Sequence, residues 1–307
     1  MDKTGGRFIV NRQRSRISIF HCEIDPLSKD EAVNTIIGWT RDNAACRYIV
    51  TPNVHHLVLL QEQSGLRKAY ENADLTLVDG RPVGWALKLM KNPVPEVVPG
   101  SDLVPALFES ATPDRILTVF LLGAAPGVAE KAANTIHAHW RYVRVVGVCS
   151  PSLSFEEDSA ELEGIVRQIN EVAPDLVVIG LGCPKQEIWA SRFAPRLNAR
   201  AAICAGATID FIAGHRRRAP VWMQRIGCEW LFRALTEPVR LVPRYLQDGI
   251  VFPMIIARSL FTRIAFKDAG AADRLLGRAI TTPNHPPVYW DAPKGSSRRP
   301  WSFGKLW

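Results

Sequence analysis

Four clusters of glycines and polar residues follow short apolar runs, and their groups suit the binding of a phosphorylated ligand or the transfer of a proton. They lie at 51–53, 79–80, 123–127 and 180–187. Ligands of open parallel sheets bind beyond the carboxyl ends of the strands, so these are the first positions where a site is expected.

Asp79 is the candidate catalytic base. It follows the apolar run 75–78 and precedes Gly80, which places a carboxylate at the edge of a predicted sheet. Spacing alone favours a structural role, because Asp-Gly is a common turn and aspartate is a common helix cap. Thr51 and Asn53 favour the functional role, since they follow another predicted strand and offer hydroxyl and amide groups to a polyhydroxylated substrate.

Two glycine turns are predicted to bind a nucleotide. In LLGAAPGVAEKAA, Gly123 and Gly127 bound a turn between a strand and a helix, where backbone N–H groups face an anion. Gly182 opens a second turn before Lys185 and Gln186, two candidate substrate ligands. The first segment lacks the lysine of a P-loop and the third glycine of the dinucleotide fingerprint, so a turn without a ligand is equally compatible with it.

The neighbouring ionisable residues are given structural roles. Glu187 is predicted to be a first-turn helix acid, and Cys183 a packing residue, because no histidine or acid is paired with it in the sequence. His55 and His56 are adjacent and a second pair is two residues apart, so neither pair shares a face and no protein-bound metal is predicted. The six cysteines lie far apart, which is typical of reduced thiols in a cytoplasmic protein.

Strands and helices alternate along the chain and must position these clusters. Short β-branched runs such as 116–122 and 175–179 are separated by long helical segments. This pattern predicts an α/β fold with a mostly parallel, Rossmann-like sheet covered by helices on both faces. The first strand is predicted at 16–22, and Ser28 with Glu31 predicts the capping box of the helix that follows.

Charge divides the chain into a weakly acidic body and a basic C-terminal part. Residues 216–307 hold 16 Lys/Arg against 6 Asp/Glu, which gives this part a net charge of +10. The whole chain has a net charge of +8, so the residues before 216 carry −2. We predict a disordered leader at 1–16, an α/β catalytic domain at 17–215, a basic amphipathic helical appendage at 216–280 and a disordered tail at 281–307. Such a basic patch attracts phosphate groups of lipid, of a diphosphate substrate or of nucleic acid.

Arginines and aromatic residues alternate in the predicted appendage, as suits an anionic membrane surface. The arginines predicted to bind an acceptor diphosphate or the membrane are Arg218, Arg225, Arg233, Arg240 and Arg244. A solvated charged face, with tryptophans packed on the body, is the structural alternative. The longest apolar run, 250–257, is far shorter than the roughly 20 residues of a membrane span. The chain is therefore expected to be cytoplasmic and peripherally attached to the inner face of the cell membrane.

Six collinear blocks resemble the WecG/TagA/CpsF glycosyltransferases (glycosyltransferase family 26) over residues 17–248. They are TPNVHHLVLLQ, ADLTLVDGRPVGWA, VPGSDL, FLLGAAPGVAEKAA, PDLVVIGLGCPKQEIWA and GATIDFIAGHRRRAPVWMQRIGCEWLFRALTEPVRLVPRYL. The resemblance implies an inverting transferase without metal or other cofactor. Its donor would be a UDP-sugar, and its acceptor an undecaprenyl-diphosphate-linked saccharide in surface polysaccharide biosynthesis.

The resemblance also implies residue roles. The family's general base matches Asp79. Its pocket residues match Thr51, Asn53 and Gln186, and its nucleoside position matches Asp210. The arginines that reach the acceptor diphosphate match Arg233, Arg240 and Arg244. One position departs from the pattern, since Val97 stands where an arginine is expected before VPGSDL. Arg81 or Lys185 would have to supply that cation, unless the donor sugar differs.

Two other classes of protein stay open. A nucleic-acid-binding protein with a basic arm is disfavoured by the charge of −2 before residue 216 and by the lack of a reading motif, so no nucleic-acid partner is expected. A nicotinamide-dependent Rossmann enzyme is disfavoured by the incomplete glycine fingerprint. The sequence leaves open the sugar, the acceptor, the linkage and whether the chain forms a homo-oligomer.

Overall fold

A parallel six-stranded sheet lies at the centre of the computed structural model, which describes residues 16–42 and 44–275, with side chains up to Phe261. The strands are β1 (Ile17–Ile19), β2 (Cys22–Ile24), β3 (Arg47–Val50), β4 (Leu75–Thr76), β5 (Leu117–Gly123), β6 (Val143–Cys149), β7 (Leu176–Gly180) and β8 (Ala201–Cys204). Strands β3 to β8 form the sheet, in the spatial order β4-β3-β8-β7-β5-β6. Every pairing within it is parallel.

Helices cover both faces of this sheet, which confirms the predicted α/β fold. They are α1 (Lys29–Trp39), α2 (Val54–Leu59), α3 (Ser64–Glu71), α4 (Arg81–Leu89), α5 (Gly100–Glu109), α6 (Val128–His139), α7 (Ser159–Val172), α8 (Lys185–Phe193), α9 (Thr208–Ile212), α10 (Val221–Arg225), α11 (Glu229–Thr236) and α12 (Pro238–Leu275). Alternate strand residues enter opposite cores. Val50 packs with the core that includes residues of α2, α3, α4, α7 and α8, and Ile49 with the core of α1, α5, α6 and α9. The predicted capping box of α1 is present.

The predicted strand at 16–22 is wrong: this segment begins an antiparallel ribbon of β1 and β2. The chain reverses at Phe20 and His21, both with positive φ (50° and 63°). Left-handed backbone favours Gly, Asn or Asp, and none stands here, so composition gave no sign of the turn. The ribbon joins the sheet edge through Asp25, whose backbone N–H donates to the carbonyl of Thr76 and whose carboxylate accepts from the Thr76 N–H, both at 2.9 Å.

Two segments with helical periodicity, 54–70 and 154–172, form shorter helices than this periodicity indicates. The first divides into α2 and α3, because Gln63 adopts extended backbone between them, although its side chain caps neither helix. The second is helical only from Ser159, where the carboxylate of Asp158 accepts backbone N–H bonds and caps α7.

After β8 the described chain is helical through α12, as the loss of strand patterning predicted. Residues up to Phe261 belong to the same compact unit as the sheet, and a second unit begins at Thr262. The predicted boundary at residue 216 therefore does not coincide with a boundary between compact units. Phe252 of α12 is buried against the ribbon residue Phe20, with ring centroids 6.2 Å apart. The predicted leader, apart from Arg16, and the predicted tail lie outside the described residues.

No helix in the described part of the chain combines the length and the apolar content that a membrane crossing requires.

The ends of β5 and β7 approach too closely for side chains. A Cβ on Gly123 would lie 2.5 Å from the backbone carbonyl group of Gly180, and Gly123 itself has a φ of +113°. Both facts require glycine at this position, since an L side chain would meet backbone atoms and a strained torsion at once.

We expect Gly123→Ala to lower the free energy of unfolding by at least about 2 kcal/mol, because the β5 and β7 backbones would have to separate. Urea denaturation followed by circular dichroism measures this loss. Gly164→Ala is the matched control: a Cβ on Gly164, within α7, meets nothing within 4 Å. That change should be neutral or add up to about 1 kcal/mol. Equal stability of both variants would contradict the close approach.

Candidate active site

A cavity of about 1500 Å³ opens over the carboxyl edge of the sheet. Its floor is formed by residues that follow β3, β4, β5, β7 and β8, and it includes members of all four clusters found in the sequence. Pockets for one small ligand usually measure roughly 300–1000 Å³. The cavity therefore has room for two substrates side by side.

Basic side chains from the C-terminal part also line this cavity. They are Arg216, Arg218, Arg225, Arg233, Arg240 and Arg244. Guanidinium groups that converge in one cavity favour phosphate and diphosphate ligands, which they bind through paired N–H groups. All five arginines predicted to bind an acceptor diphosphate or the membrane are thus brought to one site.

Asp79 lies in the cavity wall where the chain passes from β4 to α4. Its backbone N–H donates to the carbonyl of Pro52 at 2.9 Å, which fixes it beside the end of β3. Gly80, with a φ of +86°, occupies the N-cap position of α4. Asp79 is therefore not the helix cap that spacing alone favoured.

The surroundings of Asp79 favour its protonated form more than water does. Burial raises the pKa of Asp79, the Glu229 carboxylate raises it further, and His56, Arg233 and Arg218 lower it, with a result of about 6. At neutral pH the group is ionised, and it is a stronger base than an ordinary aspartate. This combination suits a general base.

Thr51 and Asn53 line the cavity, and both also serve the fold. The Thr51 hydroxyl donates to the Cys204 carbonyl at 3.2 Å and so links β3 to β8. The Asn53 side-chain oxygen accepts from two backbone N–H groups and caps α2. Toward a ligand, the threonine oxygen can still accept and the asparagine amide can donate.

Lys185 and Gln186 line the cavity as well, and neighbouring residues hold them. The Lys185 ammonium forms an ion pair of 2.6 Å with Glu156 on the loop before α7. Gln186 Nε2 donates to Glu187 Oε1 at 2.6 Å, and its Oε1 accepts from the backbone N–H of Gly206 at 3.2 Å. A sugar hydroxyl would have to be met by the second hydrogen of the Gln186 amide. Both binding roles stay predictions.

The predicted nucleotide-binding residues are not all in the cavity wall. Gly123 and Gly182 line it, with φ of +113° and +81°, whereas Gly127 is the N-cap residue of α6 and is not part of the wall. Asp210 lines the cavity and lies 3.6 Å from Arg216. A nucleoside contact by Asp210 would compete with this ion pair.

The five predicted arginines differ in what holds them. Arg218 and Arg240 form ion pairs with carboxylates at 2.5 and 2.6 Å. Arg233 lies over an aromatic ring of α9, with its guanidinium carbon 6.0 Å from the ring centroid. Arg244 is largely buried, its Nε has no hydrogen-bond partner, and burial lowers its pKa. Arg225 is exposed at the end of α10.

A buried ion pair that the sequence did not reveal extends inward from His56, which lines the cavity, to Glu187 of α8. His56 Nε2 is 3.2 Å from Glu187 Oε1, and His56 Nδ1 is 2.8 Å from Asn53 Oδ1. Burial alone would lower the pKa of His56, but Cys183 and Glu187 outweigh it and raise the pKa to about 10. The raised pKa favours the imidazolium form of His56, and its contact with Glu187 joins α2 to α8.

Cys183 belongs to the same cluster, since its sulfur lies within 4.8 Å of the His56 and Glu187 ligand atoms. The expectation that Cys183 has no histidine or acid nearby is therefore wrong. The sequence did not show this, because His56 is 127 residues away along the chain and only the fold brings it close. Burial raises the pKa of the Cys183 thiol, and His56 acts in the opposite direction. Glu187 does lie in the first turn of α8, as predicted, yet its partners are side chains.

Sequence reasoning also missed the contact of α2 with α12. His55 Nδ1 lies 3.0 Å from the buried carboxylate of Asp248, and Arg244 Nε lies 3.8 Å from the other oxygen. The adjacent histidines point in different directions, as predicted, and each finds an acid on a different helix. Nothing in the spacing could have revealed these acids, which are 131 and 193 residues away.

A carboxylate of raised pKa, glycine turns and several arginines in one cavity over a parallel sheet are features of the active site of an α/β enzyme. The chain belongs to the glycosyl transferase WecG/TagA/CpsF family, whose sequence profile matches residues 17–265. This confirms the resemblance seen in the six blocks. It also establishes the chain as a glycosyltransferase.

Relatives in this family include two proteins of Staphylococcus aureus, strains MRSA252 and NCTC 8325 / PS 47. Each is an N-acetylglucosaminyldiphosphoundecaprenol N-acetyl-beta-D-mannosaminyltransferase. Both are 26% identical to this chain over 198 residues, which is 63% of this chain and 74% of the relative.

We expect Glu187→Gln to destabilise the protein by about 3–5 kcal/mol, because it leaves the His56 imidazolium buried without its counter-charge. Because the pKa of His56 is raised from 6.5 to about 10, its charge stabilises the folded state fully below pH 6.5, and this stabilisation is lost as pH rises through 10. Urea titrations at several pH values should show this loss in the unchanged protein. In Glu187→Gln the free energy of unfolding should depend much less on pH over this range.

Glu163→Gln is the matched control, since Glu163 pairs with Arg196 on the exposed surface. Its denaturation midpoint should equal that of the unchanged protein. If both glutamine variants behaved alike, the buried ion pair would not be a stabilising feature.

Proposed function

We propose that this enzyme transfers a sugar from a UDP-sugar to a saccharide linked to undecaprenyl diphosphate, in the assembly of a surface polysaccharide. The observation that carries the proposal is the cavity, whose lining includes Asp79, the glycine turns and six arginines of the C-terminal helices and the segment before them. The named activity of the Staphylococcus aureus relatives supports a diphosphate-linked N-acetylglucosamine as the acceptor and N-acetylmannosamine as the transferred sugar. The volume of the cavity suits a donor and an acceptor bound together.

The reaction proposed for this site is a single displacement with inversion. Asp79 takes the proton of the acceptor hydroxyl while that oxygen forms a bond to the anomeric carbon. The bond from this carbon to the UDP oxygen breaks, and its electron pair leaves with UDP. Because Asp79 has a pKa of about 6, proton transfer to it is easier than to an ordinary carboxylate, and the orientation of both substrates supplies much of the remaining acceleration.

The charge on the leaving UDP has to be balanced for this reaction to proceed. Backbone N–H groups at the turns of Gly123 and Gly182 are the proposed donors to the donor diphosphate. The arginines of the C-terminal helices that line the cavity, above all Arg233, Arg240 and Arg244, are the proposed ligands of the acceptor diphosphate. We propose a mechanism without a metal ion or other cofactor, in which these groups supply the positive charge.

Asp79→Asn tests the proposed base. We expect kcat to fall by roughly 10²–10⁴-fold, because the amide cannot accept the proton. UDP binding, measured by thermal shift, should be retained. In the unchanged enzyme kcat/KM should rise with pH through a midpoint near 6, since the free enzyme must carry an ionised Asp79. The assay follows transfer from a panel of UDP-sugars to a short lipid-diphosphate acceptor.

Two results would count against this assignment. Near-normal turnover by Asp79→Asn would exclude Asp79 as the base, whatever the donor. Binding of NADH, or of DNA in a manner that UDP does not compete with, would instead favour one of the two other classes of protein.

We also propose that the enzyme lies on the inner face of the cell membrane through its C-terminal helices. One side of α12 carries exposed apolar residues at helical spacing: Val239, Val242, Leu246, Ile250 and Met254. Arginines at the cavity mouth add attraction to anionic headgroups. A surface placed there would bring the cavity close to a lipid-linked acceptor.

Val239→Ser, Leu246→Ser and Ile250→Ser combined should weaken binding to phosphatidylglycerol vesicles at least about tenfold, because three apolar side chains lose their contact with lipid. Co-sedimentation at low salt measures the effect. Ile116→Ser with Val172→Ser removes two exposed apolar side chains elsewhere and is the control. Vesicle binding of the triple variant at the control's level would contradict this docking mode.

A further inference from the structure

A chain of ion pairs joins the C-terminal helices to α5. The same helices contact the chain next to Asp79, since the Nε of Arg81, two residues after Asp79, donates to the backbone carbonyl of Gln224 at 2.9 Å. Arg218, in the segment before α10, pairs through Nη1 with Asp102 of α5 at 2.5 Å. Its Nε lies 3.7 Å from a carboxylate oxygen of Glu229 on α11. All three side chains line the cavity together with Asp79. The three charged groups therefore connect elements that are far apart in the sequence.

Asp102 and Glu229 hold the guanidinium of Arg218 in place. The guanidinium has a carboxylate on either side, and its Nε is buried without a hydrogen bond, so its position is set by charge. Both carboxylates raise the pKa of Arg218, against the effect of burial. Arg218 is thus engaged within the protein, in contrast to the exposed Arg225 of the same wall.

We propose that Glu229 is a positioning residue for the transfer reaction, held by Arg218 and Asp102 so that its carboxylate faces the catalytic base Asp79. This proposal rests on the proposed role of Asp79. It assigns Arg218 to the seating of α11, where the sequence had suggested a contact with the acceptor diphosphate. Asp79 is then a stronger base while α11 holds Glu229 in this position.

The charges that face Asp79 show why the position of Glu229 matters. His56 faces it from α2, Arg233 and Glu229 from α11, and Arg218 from the segment before α10. After burial, Glu229 is the group that raises the pKa of Asp79, and the three cations lower it. Without Glu229, the nearby positive charges would hold Asp79 as a weaker base. The carboxylates of Asp102 and Glu229 also neutralise part of the positive charge of Arg218, so it lowers the pKa of Asp79 less than an unpaired arginine would.

The direct test is an NMR titration of protein labelled with ¹³C at the aspartate carboxyl carbons, in which Asp79→Asn identifies the Asp79 signal. In Glu229→Gln the midpoint of this signal should fall by roughly 0.5–1 pH unit, the size expected for loss of one nearby charge. Glu229→Asp keeps the charge and should restore most of the midpoint. Glu163→Gln, the same change on the exposed face of α7, should leave it unmoved.

Kinetics give the second readout. The acid limb of kcat/KM should move to lower pH in Glu229→Gln, and kcat above pH 7 should fall roughly two- to fivefold, because Asp79 becomes a weaker base. Asp102→Asn and Glu229→Gln should be non-additive when combined, since both act through Arg218.

The outcomes separate this proposal from the proposed function. An unmoved or raised Asp79 midpoint in folded Glu229→Gln would overturn it, even if sugar transfer were confirmed. A lowered midpoint supports it even if no tested UDP-sugar is a substrate, in which case only the proposed function fails. Lowered kcat with an unmoved acid limb would show a purely structural role and would also overturn it.

Discussion

Side-by-side termination of parallel strands is the constraint on which this site depends. Strands β5, β7 and β8 end next to one another in glycine turns, and between Gly123 and Gly180 the backbones approach so closely that a Cβ would lie 2.5 Å from the neighbouring chain. The approach brings the turns after these strands to one edge of the sheet, the position at which ligands bind in parallel sheets. It also places the end of β4, and with it Asp79, at the same cavity.

The C-terminal helices complete the cavity by charge as much as by packing. Their arginines differ in their partners: Arg218 is held between two carboxylates, Arg233 lies over an aromatic ring, and Arg225 is exposed at the cavity. Arg218 fixes α11 to α5, whereas an exposed arginine is free to bind a ligand. A basic patch that looked uniform in the sequence therefore combines structural and binding functions, because neighbouring acids neutralise only part of it.

Buried polar groups connect α2, α8 and the turn after β8 at the site. The ion pair of His56 with Glu187 joins α2 to α8 beneath the substrate-binding residues, and Gln186 extends it to the turn after β8. Such a network holds side chains in one geometry, because each unpaired group would be costly in a low-dielectric interior. Fixed geometry is what a displacement reaction requires when orientation contributes much of the catalysis.

The sequence by itself determined the fold class, the strand ends where ligands bind and the family, since apolar periodicity, glycine turns and block order are local properties. It also indicated Asp79 and a set of polar and basic residues that line the cavity. It could not give the reversal at Phe20, where no turn-forming residue stands, or the division of α2 from α3. Only the tertiary structure decided which charges meet: His56 with Glu187, His55 with Asp248, and Arg218 with both Asp102 and Glu229. These partners lie up to 193 residues apart, and a charge in the sequence carries no mark of the distant charge that will determine its pKa and its role.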